Sequence, residues 1–309
     1  GTGDLQYILV RYAGCPNSVC NNKRSGICVK DVTAGDVKIK NTRIMTCGYY
    51  SLVAHEDHGL YIIGSRVEVR DTLFQGNGTF GTSRDFALSV RDPGSILTVA
   101  DNVFRDNGGY AIGIAPTYMN GLWDNTFEGA AEYGRRVLIA GGDVPQAGLL
   151  RAQTGLEGYE LESVLRVPAN MTLTVAPSVT VMGQAQSGAE LKVLGHLRAV
   201  GTEDQPIFFT SADNSGSEQW PGLVFDGGTG DLAYAAVRYA GEVNSLGLAG
   251  NLVITNVVAG KLRVENSQIL TQSYSREDYG IYVKNSRVVV SGTRFVGNGN
   301  GAGGLNDYA

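Results

Sequence analysis

The stretch HGLYIIGSRVEVRDTLFQGNG, His58 to Gly78, has a second version later in the chain: YGIYVKNSRVVVSGTRFVGNG, Tyr279 to Gly299. Apolar and polar residues alternate through its middle. Val67 and Val69 point one way and Arg66, Glu68 and Arg70 the other, which is the period of a half-buried β-strand. An aromatic follows, Phe74 or Phe295, and then a turn rich in glycine and asparagine. The likeness extends outward. Gly1 to Leu5 and Gly228 to Leu232 both read GTGDL, and Val10 to Gly14 and Val237 to Gly241 both read VRYAG. TAGDVKIKNTRI, Thr33 to Ile44, answers VAGKLRVENSQI, Val258 to Ile269, and Asp85-Phe86-Ala87 answers Asp307-Tyr308-Ala309. The offset drifts from 227 to 225 to 221 residues, as loops between matched strands change length. A repeat of roughly 225 residues is therefore expected, with the chain beginning part-way through one copy and ending part-way through the next.

A shorter period runs inside each copy. Units begin at His58, Asp85 and Tyr110, at spacings of roughly 25 to 27 residues, each with two or three short alternating runs. Phe74, Phe104, Phe127 and Phe295 fall at one place in the unit, which predicts an aromatic column inside a stack of turns. Asn77, Asp106 and Asn298 fall at another, which predicts a polar column at a corner. Helical patterns of useful length are missing, so the fold class is all-β, a solenoid of parallel strands with turns of roughly 22 to 30 residues. The expected division is 1–142 as the latter part of one copy, 143–158 as a connection, and 159–309 as the early part of the next.

Composition agrees. Of 309 residues 43 are Gly, about twice the average share, and only 8 are Pro, which suits many tight turns. The formal charge is -5 and the basic residues are scattered singly, so a phosphate-neutralising face for nucleic acid is not expected. No apolar run is long enough to span a bilayer. The four cysteines, Cys15, Cys20, Cys28 and Cys47, all lie in the first fifty residues, and they lack the paired spacing of a zinc site. Two structural disulfides made in an oxidising compartment are expected. Cys15 with Cys47 and Cys20 with Cys28 is one pairing; Cys15 with Cys20 and Cys28 with Cys47 is the other.

The stretch Tyr159 to Gly241 contains VPANMTLTVAP, LKVLGHLRAVGT, QPIFFTS, a Trp-Pro-Gly strand and GDLAYAAVRYAG, in that order. It resembles the opening turns of right-handed parallel β-helix domains of the pectate-lyase-like superfold in bacterial and archaeal surface proteins. The resemblance implies that fold and an extracellular or cell-surface setting. It is silent on function, because the superfold carries lyases, hydrolases, adhesins and purely structural modules. Lyases of this kind resemble one another in an outward acidic cluster that holds calcium near a basic residue, and the hydrolases in several close aspartates.

Neither pattern is found here. Outward positions of one strand stack read Lys38 and Lys40, then Arg66, Glu68 and Arg70, then Ile96, Thr98 and Ala100. Asp71, Asp101 and Asp124 recur, but just before the next inward run, where a turn residue is expected. His55-Glu56-Asp57-His58 has ligand types for a transition metal. Its counterpart in the second copy is Arg276-Glu277-Asp278-Tyr279, without either histidine, so a solvated loop before a strand is the expected reading. His196 stands alone on a predicted strand and reads as structural. Tyr49, Tyr50, Tyr118 and Trp123 are candidates for stacking on sugar rings. No catalytic residues and no cofactor are expected. The expected role is a non-enzymatic structural or adhesive module, with neighbouring copies of the repeat and cell-surface glycans as partners; the alternative is a polysaccharide lyase or hydrolase, or a carbohydrate-binding β-helix.

Overall fold

The computed structural model describes residues 2–13, 20–21, 23–47, 56–78, 85–131, 133–145, 147–216, 218–258, 261–270 and 279–298. It divides into two compact units, Gly1–Leu138 with Gln153–Glu157, and Ile139–Ala152 with Gly158–Ala309. Apart from the 3₁₀ turn Pro116–Gly121, the regular elements of the described residues are short strands.

In the first unit every turn of chain supplies one strand to each of three parallel sheets. Gly3–Gln6, Val37–Lys40, Arg66–Arg70, Ile96–Ala100 and Leu122–Trp123 form the first; Leu9–Arg11, Arg43–Met45, Leu73–Gln75, Val103–Arg105 and Thr126–Glu128 the second. Arg24–Lys30, Asp57–Ile63, Phe86–Val90 and Tyr110–Ile114 stack in the third. Pairing is in register, so like sits on like: Val37, Val67 and Leu97 follow one another, as do Ile39, Val69 and Val99, all buried. Burial of β-branched and leucine side chains on one face of each strand is the main stabilising contribution. The expected phenylalanine column is present, with Phe74 and Phe104 ring centroids 4.8 Å apart and Phe104 and Phe127 5.3 Å apart.

Corners between the sheets need left-handed backbone, which Asn and Asp tolerate better than other side chains. Asn41, Asp71, Asp101 and Asp124 occupy one such column, with φ of 50, 50, 59 and 53°. Just inside it runs a buried polar ladder. The Thr72 N–H donates to Asn102 Oδ1 (3.0 Å), the Asn102 N–H and Nδ2 to Asn125 Oδ1, and the Asn125 N–H and Nδ2 to Gln153 Oε1. At the next corner the ladder is Cys47, Asn77 and Asn107, each N–H donating to the following amide oxygen. This corrects the expected column of Asn77 with Asp106. Asp106 is the left-handed residue, at φ 49°, aligned with Gly76 at 63°, and Asn107 is the ladder residue. A third ladder passes from the Val32 N–H to Ser65, from the Ser65 N–H to Ser95, and from the Ser95 N–H to the Tyr118 hydroxyl. Buried backbone groups left by the turns thus find partners one turn away.

The second unit repeats the plan. His196–Val200, Thr229–Ala233, Leu262–Glu265 and Val289–Ser291 stack in one sheet, and Thr180–Gly183, Ile207–Ser211, Ala235–Arg238, Gln268–Leu270 and Arg294–Val296 in another. Strands with matching sequence share their burial pattern and order: Val37–Lys40 answers Leu262–Glu265, and Arg43–Met45 answers Gln268–Leu270. Trp220 is fully buried, and its indole N–H donates to the Arg238 carbonyl at 3.0 Å. Gly183 makes room for it, since a Cβ there would lie 2.6 Å from the ring.

Candidate functional site

His55 lies outside the described residues, and the rest of its tetrapeptide does not form a solvated loop. Asp57 and His58 open the strand Asp57–Ile63 and are buried, at 1% and 0% exposure. The expectation of a loop failed because the polar pair is drawn into a core strand by the apolar run behind it. The imidazole fills a place in an aromatic stack, 4.7 Å from the Tyr61 ring and 5.7 Å from Phe86, which in turn stacks on Tyr110. Both ring nitrogens are buried without a hydrogen bond, and burial with the nearby Lys23 and Arg91 charges drives the imidazole pKa down to about 3. Glu56 pairs with Lys23 at 2.7 Å, and the same carboxylate oxygen lies 3.8 Å from His58 Nε2. The Asp57 N–H donates to Asp85 Oδ1 at 2.9 Å, and burial, then the Asp85 charge, raises the Asp57 carboxyl to about 6 against a lowering by Arg24. Among the described residues no three His, Cys, Asp or Glu side chains gather to hold a metal.

On the outward face of the first sheet the charges pair with one another. Glu68 takes Lys40 at 3.2 Å and Arg70 at 2.7 Å, and Arg70 reaches on to Asp101 at 2.7 Å. The Arg70 hydrogen bond holds the Glu68 carboxyl below its usual range. The same guanidinium lies 4.4 Å from the Trp123 ring centroid, covering a face that was a candidate for sugar. Tyr118 is not available for stacking either: it is buried at 4% exposure, and its hydroxyl donates to the Asp92 carbonyl at 2.7 Å. Packing of the 3₁₀ turn against the stack takes the ring inside. Tyr49 and Tyr50 lie outside the described residues.

Cys20 and Cys28 form a disulfide. Cys47 is a buried free thiol whose pKa is raised by burial. Cys15 lies outside the described residues; with Cys28 bonded to Cys20 and Cys47 free, the expected second disulfide through Cys47, to Cys15 or to Cys28, is corrected.

The second unit holds a groove that the sequence reading did not single out. The register places Phe208, Ala236 and Gln268 in one outward column on three successive strands. A methyl between a ring and a long amide leaves a notch two strand spacings wide, roughly 10 Å. Tyr234 and Asn266 stand beside it at a corner, both with φ of 48°, and Glu203 lies on the rim. The cavity measures about 450 Å³; among the described residues its lining holds no Lys or Arg, and Arg294 follows Gln268 on the next strand. A left-handed tyrosine is costly, about 1 kcal/mol or more. It nevertheless recurs: Tyr234 and Tyr239 have φ of 48 and 59°, and their counterparts in the first copy, Tyr7 and Tyr12, have 57 and 56°. The pairing of GDLQYILVRYAG with GDLAYAAVRYAG was the signal that pointed here. His196 lies on another sheet, its Nδ1 2.8 Å from Thr229 Oγ1 and its Nε2 3.6 Å from Asp231.

Parallel strands stacked in register on three faces, with polar ladders along the corners, define a β-helix. Residues 13–144 match the protein-family model described as right handed beta helix region, in line with the fold. No curated protein and no solved structure matches the chain.

Proposed function

We propose that the chain is a non-enzymatic, extracellular structural or adhesive module of a longer repetitive surface protein, in which copies divided near 1–142, 143–158 and 159–309 neighbour one another along the chain or head to tail. The observation that carries this reading is the recurrence of one strand set, from GTGDL through VRYAG to the phenylalanine turn, in the same order twice along the chain. Modules that stack turn on turn gain length by adding copies, each contributing its own nearest-neighbour contacts. The disulfide fits an oxidising compartment. Among the described residues no helix is long and apolar enough to cross a membrane.

Incubation with acidic and neutral polysaccharides, with and without calcium, tests the non-enzymatic part. The expected result is no new unsaturated or reducing ends; their release would overturn the reading in favour of a lyase or a hydrolase.

A further inference from the structure

We propose that the outward face around Lys261, Arg263 and Arg287 binds a phosphate-bearing ligand, a site that goes beyond the structural role and does not depend on it. All three side chains are exposed. Arg263 is in register with Val289, and that register, carried back two residues, sets Lys261 opposite Arg287 on the next turn. Like charges opposite each other on neighbouring strands, about 4.8 Å apart, repel. Arg263 leaves the same face two residues along from Lys261, about 7 Å away. Among the described residues no carboxylate forms an ion pair with any of the three. Asp231 lies between Arg198 and Arg263 in register, yet its carboxylate is the one 3.6 Å from His196, and Glu265 stands two residues beyond Arg263.

The first copy shows the same frame with matched charges. Asp36 stands where the second copy has Lys261, and Glu68 where it has Val289. Arg66 Nε donates to Asp36 Oδ1 at 2.8 Å, and Glu68 pairs with Lys40 and Arg70. The backbone is held alike in both. The Arg66 N–H donates to the Val32 carbonyl and the Arg287 N–H to the Val257 carbonyl, each at 3.2 Å. The Val32 and Val257 N–H groups donate to Ser65 Oγ and Ser286 Oγ, at 3.0 and 2.9 Å. Two substitutions on a kept frame therefore turn an ion-paired face into a cationic one, on a chain whose formal charge is -5. Cations spaced singly in the sequence are collected by the register.

The charge count selects the ligand. Three neighbouring cations are poorly compensated by one carboxylate, whereas a phosphate group brings about -1.5 to -2 of charge and three acceptor oxygens. Guanidinium forks take two such oxygens each, and lysine adds a point charge.

The test uses the full chain with tripolyphosphate as the free probe, vesicles of phosphatidic acid in phosphatidylcholine as the lipid probe, and acetate as the singly charged comparator. Calorimetry and vesicle co-sedimentation read the binding. Tripolyphosphate is expected to bind about tenfold or more tightly than acetate, and less well as salt rises. Capture by phosphatidic acid vesicles, and not by phosphatidylcholine alone, would assign the phosphate to a lipid headgroup; binding of tripolyphosphate without vesicles would assign it to a soluble ligand. Lys261→Asp, which copies Asp36 and rebuilds the pair with the arginine opposite, is expected to weaken binding about tenfold or more. Absence of binding by both phosphate probes, acetate as tight as tripolyphosphate, or unchanged binding by a folded Lys261→Asp chain would each overturn the site. Should Lys261→Asp not fold, Arg263→Gln gives the same reading. Loss of the site leaves the structural module standing.

Discussion

The imidazole of His58 lies parallel to the ring of Tyr61, 9° between planes and 4.7 Å between centroids, with neither nitrogen hydrogen-bonded. A histidine here works as an aromatic spacer. In the second copy Tyr279 takes the place, 5.1 Å from Tyr282.

Because the folded chain holds His58 neutral down to about pH 3 while the unfolded chain protonates near 6.5, stability is intact above pH 6.5 and lost as pH falls toward 3. His58→Phe removes that loss. At pH 5 the variant is expected to gain about 2 kcal/mol over the parent, falling to near zero above pH 7, as measured by urea midpoints. An equal gain at both pH values would show that the histidine's charge plays no part.

Asp57 carries the opposite sign. Its folded pKa is raised from 3.8 to about 6, so the folded state keeps the proton longer than the unfolded chain, and stability is lost as pH rises from 3.8 through 6. Asp57→Asn is expected to be the more stable form above pH 6 and to show no such gain at pH 4, while the N–H bond to Asp85 remains. Thermal unfolding across that range decides it; a gain that does not vary with pH would contradict the account.

The ladder asparagines should matter far more than the corner aspartates beside them. Asn102→Ala strands the Thr72 N–H and the Val69 carbonyl in the core, a loss of about 3 kcal/mol. Asp101→Asn keeps a residue tolerant of left-handed backbone and removes one half-exposed ion pair with Arg70, a change of about 0.5 kcal/mol or less. Denaturant midpoints of the two variants test the contrast, and equal losses would contradict it.

Phe104 sits at the centre of the phenylalanine column with rings on both sides, fully buried. Phe104→Ala is expected to cost about 4 kcal/mol and Phe104→Leu clearly less, in the same unfolding measurement. A cost for Phe104→Ala below that of Asp101→Asn would count against an inward column.

The β-stack was legible because its signal is written twice in the sequence, once as alternation in RVEVR and once as the second version of the same segment. The Phe74, Phe104 and Phe127 column followed from spacing alone, since like residues stack when register is kept. What spacing could not separate was neighbouring polar residues: Asp106 and Asn107 both suit a turn, and only the backbone shows which one turns the corner and which one forms the ladder. Burial of Asp57, His58 and Tyr118 depends on what packs over them. The groove was hidden for a different reason, since Phe208, Ala236 and Gln268 are about thirty residues apart and meet only through register. The signal that survived in the sequence was the tyrosines kept in both copies.

The most direct test of the central claim, that these turns are repeated units of a structural solenoid, is electron cryomicroscopy of the native protein purified under oxidising conditions. Elongated particles with an axial repeat of about 4.8 Å, the spacing between stacked strands, are the predicted result. Isolated globular particles without that repeat would contradict it.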